Sequence, residues 1–198
     1  MWSRGIVSTA QAWRHWCAAR NRLFREHPAS PLPATERAGF AGLAHFPYDP
    51  DLRLTPGLAA VDPAASVDID LGADGHIVLR PLGLTAGLAD RLGGELTVYW
   101  LEGYGGGLFL PFRDASSGET TYGGGRYLLD TVKGADLGMA GDGLVLDFNF
   151  AYYPSCAHSA MWTCPLPPAE NFLAVEVAAG ERDSRQRNRR TTPVQDEA

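Results

Sequence analysis

The sequence predicts a single domain that is mainly β, an antiparallel β-barrel or sandwich with an N-terminal α-helix. Three observations support this fold class. After the first 26 residues the chain shows few helical patterns, and short apolar runs of strand length recur instead. The 23 glycines and 14 prolines cluster between these runs, where turns are needed. The 198 residues are enough for one domain with a substantial core.

The predicted helix covers residues 8–26. Ser8 is followed three residues later by Gln11, which is the spacing of a capping box. One face of this helix carries apolar residues at helical spacing: Trp13, Trp16, Cys17, Leu23 and Phe24. Arg20 lies in the middle of that face. Two interpretations stay open for it, a guanidinium that reaches solvent from the core edge and a buried guanidinium paired with a core carboxylate.

The rest of the chain is assigned from apolar alternation and turn residues. A short helix is predicted over 34–43. Strands are predicted over 66–71, 76–79, 95–101, 108–112, 126–129, 144–150 and 172–177. Turns at Asp74-Gly75 and Gly141-Asp142-Gly143 separate neighbouring strands. Residues 182–198 are polar and charged, so the domain is predicted to cover 1–181 and the last 17 residues to form a disordered tail.

Charge and hydropathy exclude several classes of protein. The net charge of −6 argues against nucleic-acid binding by the body of the chain, and the five arginines of the tail give only a local excess of +2. No apolar run approaches the roughly 18 residues of a membrane span. The N-terminus lacks the apolar segment of a signal peptide. We therefore expect a cytoplasmic protein with reduced thiols, since three cysteines are too few for a disulfide framework.

A glycine cluster at 123–125 is flanked by tyrosines and followed by Arg126. Glycines allow close backbone approach, and Arg113-Asp114 lies shortly upstream. One interpretation is a tight loop fixed by an Arg–Asp pair. The other is an anion pocket formed by Arg113 and Arg126, because guanidinium groups bind carboxylates and phosphates well.

A second polar cluster follows at 147–171. Asp147 and Asn149 are two residues apart and would share one face of a strand, next to Tyr152, as a pocket wall. Cys156, His158 and Cys164 do not match a structural zinc site, which needs four ligands, so no metal is predicted. A buried or redox-capable cysteine pair is the favoured interpretation. A cysteine nucleophile also stays open and would need a base nearby.

Four runs of the chain resemble the family catalogued as domain of unknown function 1684 (DUF1684). They are RNRLFREHPASPLP, GFAGLAHFPYDPDLR, LFLPFRDASSGETTYGGGRYL and DFNFAYYPSCAHSAMWTCPLPPAEN, in that order between Trp13 and Glu181. The resemblance implies a bacterial or archaeal protein and brings no established activity. Tyr153 and His158 stand where the family usually shows Asn and Tyr. A mechanism that needs either residue would therefore be special to this protein.

Two hypotheses about function follow. The first is a small-molecule-binding β domain, with catalysis left open, that acts on an anionic or polar molecule. Its candidate binding residues are Arg113, Asp114, Tyr122, Arg126, Asp147, Asn149, Tyr152, Cys156, Cys164, Glu170 and Asn171. The second is a non-catalytic structural or interaction module in which the same residues form a buried polar network. The first hypothesis further predicts that Arg113 or Arg126 lies near Asp147. The sequence identifies neither a cofactor nor a protein partner, so both stay unknown.

Overall fold

The structure, a computed structural model, describes residues 8–72, 75–102, 106–130 and 135–184. It is mainly β with one long N-terminal helix, which confirms the predicted fold class. Helix α1 spans Thr9–Glu26, and the Ser8 hydroxyl accepts a hydrogen bond from the Gln11 amide as predicted. Helix α2 is a single turn, Ala34–Arg37, shorter than expected. Helix α3, Ala89–Leu92, has no counterpart in the sequence prediction.

Eleven strands are found in the described ranges. They are β1 (Arg53–Leu54), β2 (Gly57–Ala59), β3 (Val67–Asp70), β4 (His76–Ala86), β5 (Thr97–Glu102), β6 (Leu108–Asp114), β7 (Arg126–Asp130), β8 (Met139–Ala140), β9 (Gly143–Leu144), β10 (Leu146–Asp147) and β11 (Phe172–Leu173). The main sheet has the order β11-β6-β5-β4-β2, with β3 also on β4 and β7 also on β6. The pairing is antiparallel except for β11, which runs parallel to β6. Over these residues the sheet is open and does not close into a barrel.

Strand β4 is much longer than the predicted 76–79. Its first half pairs with β3, its second half pairs with β2, and β5 follows it along most of its length. Pro81 and Gly83 look like strand breakers in the sequence. The register with β5 shifts between them, so the strand continues through an irregularity instead of ending.

The predicted strand 144–150 is wrong in its second half. β9 and β10 are followed by a 3₁₀ turn, Phe148–Phe150. The turn forms because the Asp147 carboxylate accepts a hydrogen bond from the Asn149 amide at 3.1 Å, an arrangement that competes with strand pairing. The predicted strand 172–177 is likewise reduced to β11.

Each face of the main sheet buries its own apolar cluster. One cluster contains Val98, Leu110, Phe112 and Leu128. The other contains Tyr99, Phe109 and Tyr127, which alternate with the first set along the same strands, and Trp16 of α1 packs against it. Helix α1 therefore covers the second face.

The C-terminal contacts extend past residue 181, the predicted domain limit. The Arg182 amide donates to Ala44 O at 3.0 Å, and its Nε donates to His45 O at 3.0 Å. The Asp183 amide donates to Thr120 O at 2.9 Å. Residues 185–198 of the predicted tail lie outside the described residues. Within the described ranges, no helix has the length and apolar character that crossing a membrane requires.

Candidate functional site

A cavity of about 520 Å³ lies between α1 and the second face of the sheet. We call it the helix–sheet cavity. Helix α1 and the following turn contribute Arg20, Leu23, Phe24 and His27. The sheet contributes Ile77, Leu101, Phe109, Tyr127 and Asp130. The third wall is the loop that carries Tyr152, Tyr153, Trp162, Cys164 and Pro165. The lining is thus largely aromatic and aliphatic, with a few polar groups among it.

Arg20 is the cation of this cavity. Its Nε and Nη2 bond Glu181 Oε1 at 2.8 and 2.7 Å, and the Glu181 side chain is 1% exposed. This resolves the choice left open by the sequence, because Arg20 is buried and paired with a core carboxylate. The guanidinium carbon lies 4.4 Å from the centre of the Tyr152 ring. No residue in the described ranges accepts a hydrogen bond from Arg20 Nη1.

A buried acid lies at the same cavity. The Tyr152 hydroxyl donates to Asp130 Oδ2 at 2.6 Å, and both residues are buried. Burial, together with the adjacent Asp130 charge, raises the pKa of Tyr152 well above its ordinary value. Tyr127 donates from its hydroxyl to Pro165 O at 2.7 Å, and burial raises its pKa in the same way. Both phenols therefore stay protonated at neutral pH and act as hydrogen-bond donors.

Cys164 lies on the loop wall, and Cys156 lies beside it. The Cys156 amide donates to Cys164 Sγ at 3.4 Å. The Tyr122 hydroxyl lies 3.8 Å from Cys156 Sγ. Both cysteines are partly exposed, reduced thiols. The two cysteines that the sequence analysis considered as a pair therefore lie side by side, and both are partly exposed.

Arg126 and Asp114 form a different, fully enclosed pair. Arg126 Nη2 donates to Asp114 Oδ2 at 2.5 Å and to Val177 O at 2.9 Å, while Nη1 donates to Ala179 O and Glu181 O. Asp114 also accepts from the amide of Val177 at 3.1 Å. The pair fixes the segment 177–181 against β6 and β7. This is the ion-paired loop of the first interpretation, with Arg126 rather than Arg113 as the partner of Asp114.

Gly125 is required for this arrangement. Its φ is +89°, and an added Cβ would lie 2.6 Å from Phe112 O and 2.8 Å from a carbon of Pro167. A side chain there would collide with both the sheet and the proline segment, residues 165–168. The glycine cluster therefore serves close backbone packing, as its composition predicted.

Asp147 and Asn149 bind the chain and not an open pocket. Asp147 pairs with Arg53 at 3.2 Å and accepts from Asn149 Nδ2 at 2.8 Å. Asn149 exchanges two hydrogen bonds with the backbone of Asp49, at 2.8 and 2.7 Å, and its carbonyl accepts from Trp13 Nε1 at 2.8 Å. The network anchors the segment around Asp49 and α1. Asp147 and Arg126 thus have separate ionic partners, Arg53 and Asp114. The prediction that Arg113 or Arg126 lies near Asp147 around one shared site stays a prediction.

The remaining candidates also have structural contacts. Asn171 is fully buried and bonds both backbone atoms of Thr97 and the carbonyl of Pro111. Glu170 accepts a 3.3 Å hydrogen bond from Tyr99. Arg113 has a buried Nε without a hydrogen-bond partner among the described residues.

Of the eleven sequence-predicted residues, Tyr152 and Cys164 line the helix–sheet cavity, and Cys156 touches it through Cys164. Asp130, Phe109 and Trp162 also line the cavity and were not predicted from the sequence. One signal was available for Asp130, because an acid directly after the apolar run Tyr127–Leu129 is placed at a buried strand end. The apolar lining residues carry no such signal. Across the described ranges, no group of three acidic, histidine or cysteine side chains is placed to hold a metal ion.

The family model described as "Protein of unknown function (DUF1684)" matches residues 38–182. The chain belongs to this family. The match includes β1 to β11 and the loop that carries Cys156 and Cys164, which we call the cysteine loop. Helix α1 precedes the matched residues, as does the first of the four resembling runs, so one wall of the cavity lies outside the DUF1684 match.

One solved structure similar to this chain is an uncharacterised protein from gene locus rrnAC0354 of Haloarcula marismortui, determined by solution NMR. It is 32% identical, and the match covers 88% of this chain and 94% of that chain with a TM-score of 0.56. No curated protein matches the chain. The fold of this chain is thus similar to that of a solved structure, and neither comparison supplies an activity.

Proposed function

We propose that this protein is a small-molecule-binding β domain whose ligand occupies the helix–sheet cavity. The observation that supports this most directly is the cavity itself, about 520 Å³ in volume and reached by Arg20 and Tyr152. Small-molecule sites typically have about 300–1,000 Å³ and mostly apolar walls with a few placed polar groups. The helix–sheet cavity has both properties.

The lining indicates the class of ligand. Phe109, Tyr127 and Trp162 favour a flat or branched apolar body. The polar end lies at Arg20, where Nη1 is available to donate, since Glu181 engages Nε and Nη2. The proposed ligand is therefore an aromatic or aliphatic molecule of moderate size with one acceptor group, such as a carboxylate or a carbonyl.

Glu181 limits how anionic this ligand can be. Because it already neutralises Arg20, an anion gains less there than at an unpaired arginine. Shape and apolar burial then carry most of the affinity, and the guanidinium orients the acceptor. Arg113 and Arg126 are no longer part of the proposed binding site.

A second candidate function is the non-catalytic structural or interaction module. The observation that favours it is that several buried polar residues away from the cavity are hydrogen-bonded within the chain. Arg126, Asp114, Asn149 and Asn171 all bond other parts of the chain. The two candidates differ in one property, namely whether the helix–sheet cavity takes up a molecule.

A fluorescent probe distinguishes them. Anilinonaphthalene sulfonate combines an aromatic body with an anionic group, so we expect it to bind the folded protein at one site. Filling the cavity with Ile77→Trp, or more mildly with Leu101→Phe, should weaken binding by about tenfold or more, the equivalent of about 1.4 kcal/mol. Leu82→Trp is the matched control, because Leu82 is 46% exposed and lies outside the lining.

Circular dichroism verifies that each variant is folded before binding is compared. Equal binding by the cavity-filled variants and the control would show that the probe lies elsewhere. Together with a purified protein that carries no small molecule in native mass spectrometry, that result would favour the structural module.

A further inference from the structure

The cysteine loop contains chemistry that ligand binding does not use. Cys156 belongs to the 3₁₀ turn Ser155–Ala157, and Cys164 directly precedes the proline segment 165–168. The 3.4 Å hydrogen bond from the Cys156 amide to Cys164 Sγ holds the two residues side by side. Tyr127, which bonds Pro165 O at 2.7 Å, fixes the chain next to Cys164. The pair is therefore part of a rigid scaffold.

The two thiols are electrostatically unequal. The hydrogen bond from the Cys164 thiol lowers the pKa of Cys156, with further help from the Tyr122 hydroxyl and nearby amides against the opposing effect of burial. The same bond, together with burial, raises the pKa of Cys164. Cys17 is a contrast within the chain, because burial raises its pKa to about 12. A thiolate is the reactive form of cysteine, so Cys156 is the attacking group.

We propose that Cys156 and Cys164 are a redox-active dithiol site, in which Cys156 reacts with a peroxide and Cys164 resolves the product to a disulfide. The inference stands on the hydrogen bond from the Cys156 backbone amide to Cys164 Sγ, on the partial exposure of both cysteines and on the position of Cys164 at the cavity wall. It does not rest on the proposed ligand, since a peroxide is small enough to enter an empty cavity.

The reaction has two steps. The Cys156 thiolate attacks one peroxide oxygen, so that an S–O bond forms, the O–O bond breaks and the leaving hydroxide takes up a proton to give water. The Cys164 thiol then loses its proton and attacks the sulfenic sulfur of Cys156. An S–S bond forms, the S–O bond breaks, and hydroxide leaves and combines with that proton. In total the two thiols lose two electrons and two protons, and the peroxide is reduced to two waters.

The geometry makes the second step local. A disulfide needs the two sulfurs at about 2.05 Å, and Cys164 Sγ already lies 3.4 Å from the backbone nitrogen of Cys156. An added dithiol restores the reduced pair by thiol–disulfide exchange.

The first experiment uses the wild-type protein. Peptide mass spectrometry after treatment with hydrogen peroxide should find a Cys156–Cys164 disulfide, and dithiothreitol should remove it. Cys17 should remain a thiol. A folded protein that consumes peroxide without this crosslink, or that oxidises Cys17 as fast as Cys156, would overturn the proposal.

The second experiment assigns the two roles. In Cys164→Ser, Cys156 should accumulate as a sulfenic acid that dimedone traps, whereas Cys156→Ser should yield little trapped Cys164. Iodoacetamide at neutral pH should modify Cys156 at least about tenfold faster than Cys17, because Cys156 has the larger thiolate fraction. The pH midpoint of alkylation should rise toward that of an ordinary thiol in Cys164→Ser.

Cys17→Ser is the matched control and should alter neither the crosslink nor these rates. Preferential trapping of Cys164, or equal alkylation of Cys156 and Cys17, would refute the assignment of roles. The wild-type crosslink still decides the proposal if a variant fails to fold.

Discussion

Two buried arginines, Arg126 and Arg20, each form an ion pair with a buried carboxylate. They lie in different parts of the molecule. Arg126 is 1% exposed, pairs with Asp114 and donates to three backbone carbonyls. Arg20 pairs with Glu181 and lies against an open cavity, where its Nη1 lacks a partner within the described part of the chain. Residue type and burial are thus shared, and only the use of the remaining donors separates a structural arginine from a candidate binding group.

The two arginines are also connected through Glu181, which contacts both of them. Arg126 binds the carbonyl of Glu181, and the Glu181 side chain binds Arg20 while also accepting from the Tyr153 amide at 2.8 Å. Segment 177–181 therefore connects the enclosed pair with the cavity. Loss of the Arg126 pair should disturb both regions, whereas a change at Arg20 should leave the Arg126 pair in place.

The largest expected effect is on the enclosed pair. Asp114→Asn leaves the Arg126 guanidinium buried without its counter-charge, so we expect the free energy of unfolding to fall by about 3–5 kcal/mol. Urea denaturation measures this loss. The matched control is Arg80→Gln, which removes an exposed ion pair with Glu102. It should leave the urea midpoint nearly unchanged. Equal effects of the two substitutions would show that the Asp114 pair is not buried in solution.

The cavity arginine should affect both stability and binding. Arg20→Gln leaves Glu181 buried and uncompensated, with an expected loss of about 3 kcal/mol. The double variant Arg20→Gln with Glu181→Gln removes both charges and should regain part of that stability. In the double variant, we expect anilinonaphthalene sulfonate to bind about tenfold more weakly, while the uncharged phenylnaphthylamine binds as before. Equal losses for the two probes would mean that Arg20 shapes the cavity without contacting an acceptor.

The extent to which the sequence predicted these features has a physical explanation. Fold class, α1 and most strand positions follow from local spacing, which the sequence displays directly. The length of strand β4 was underestimated because Pro81 and Gly83 look like strand breakers. They are tolerated at a register shift that is visible only in the pairing with β5. The prediction that the strand continues to residue 150 was wrong because the Asp147 side chain accepts a hydrogen bond from the Asn149 backbone amide, which favours a turn.

The site was harder to predict than the fold. Conspicuous polar residues such as Asn149 and Asn171 are buried because they replace missing backbone hydrogen bonds, and this requirement comes from tertiary packing. The cavity depends on ordinary residues such as Phe109 and Ile77, whose convergence with α1 is non-local. Sequence spacing found the cysteine pair because its two members lie eight residues apart in one loop.

A smaller effect is expected at Asp147, whose pair is only partly enclosed. Arg53 retains 33% exposure of its side chain, so its contribution is screened. Asp147→Asn should lower the free energy of unfolding by about 1–2 kcal/mol, mainly through weakened hydrogen bonds to Asn149. Arg53→Gln should lower it by less than about 1 kcal/mol. A loss from Asp147→Asn as large as that from Asp114→Asn would place both pairs in the same structural class.

The smallest effect is expected from removal of residues 185–198, and it sharpens the position of the domain limit. This segment is polar and carries Val194 as its one branched aliphatic residue, so its deletion should change the free energy of unfolding by less than about 0.5 kcal/mol. A deletion that starts at Arg182 also removes the hydrogen bonds to Ala44, His45 and Thr120. That longer deletion should lower the free energy of unfolding by about 1–3 kcal/mol.

Thermal denaturation of the two truncated proteins gives the comparison directly. If both truncations behave like the full chain, the contacts of Arg182 add nothing to stability and the domain ends at residue 181. If the shorter deletion is already damaging, the arginine-rich segment packs on the body.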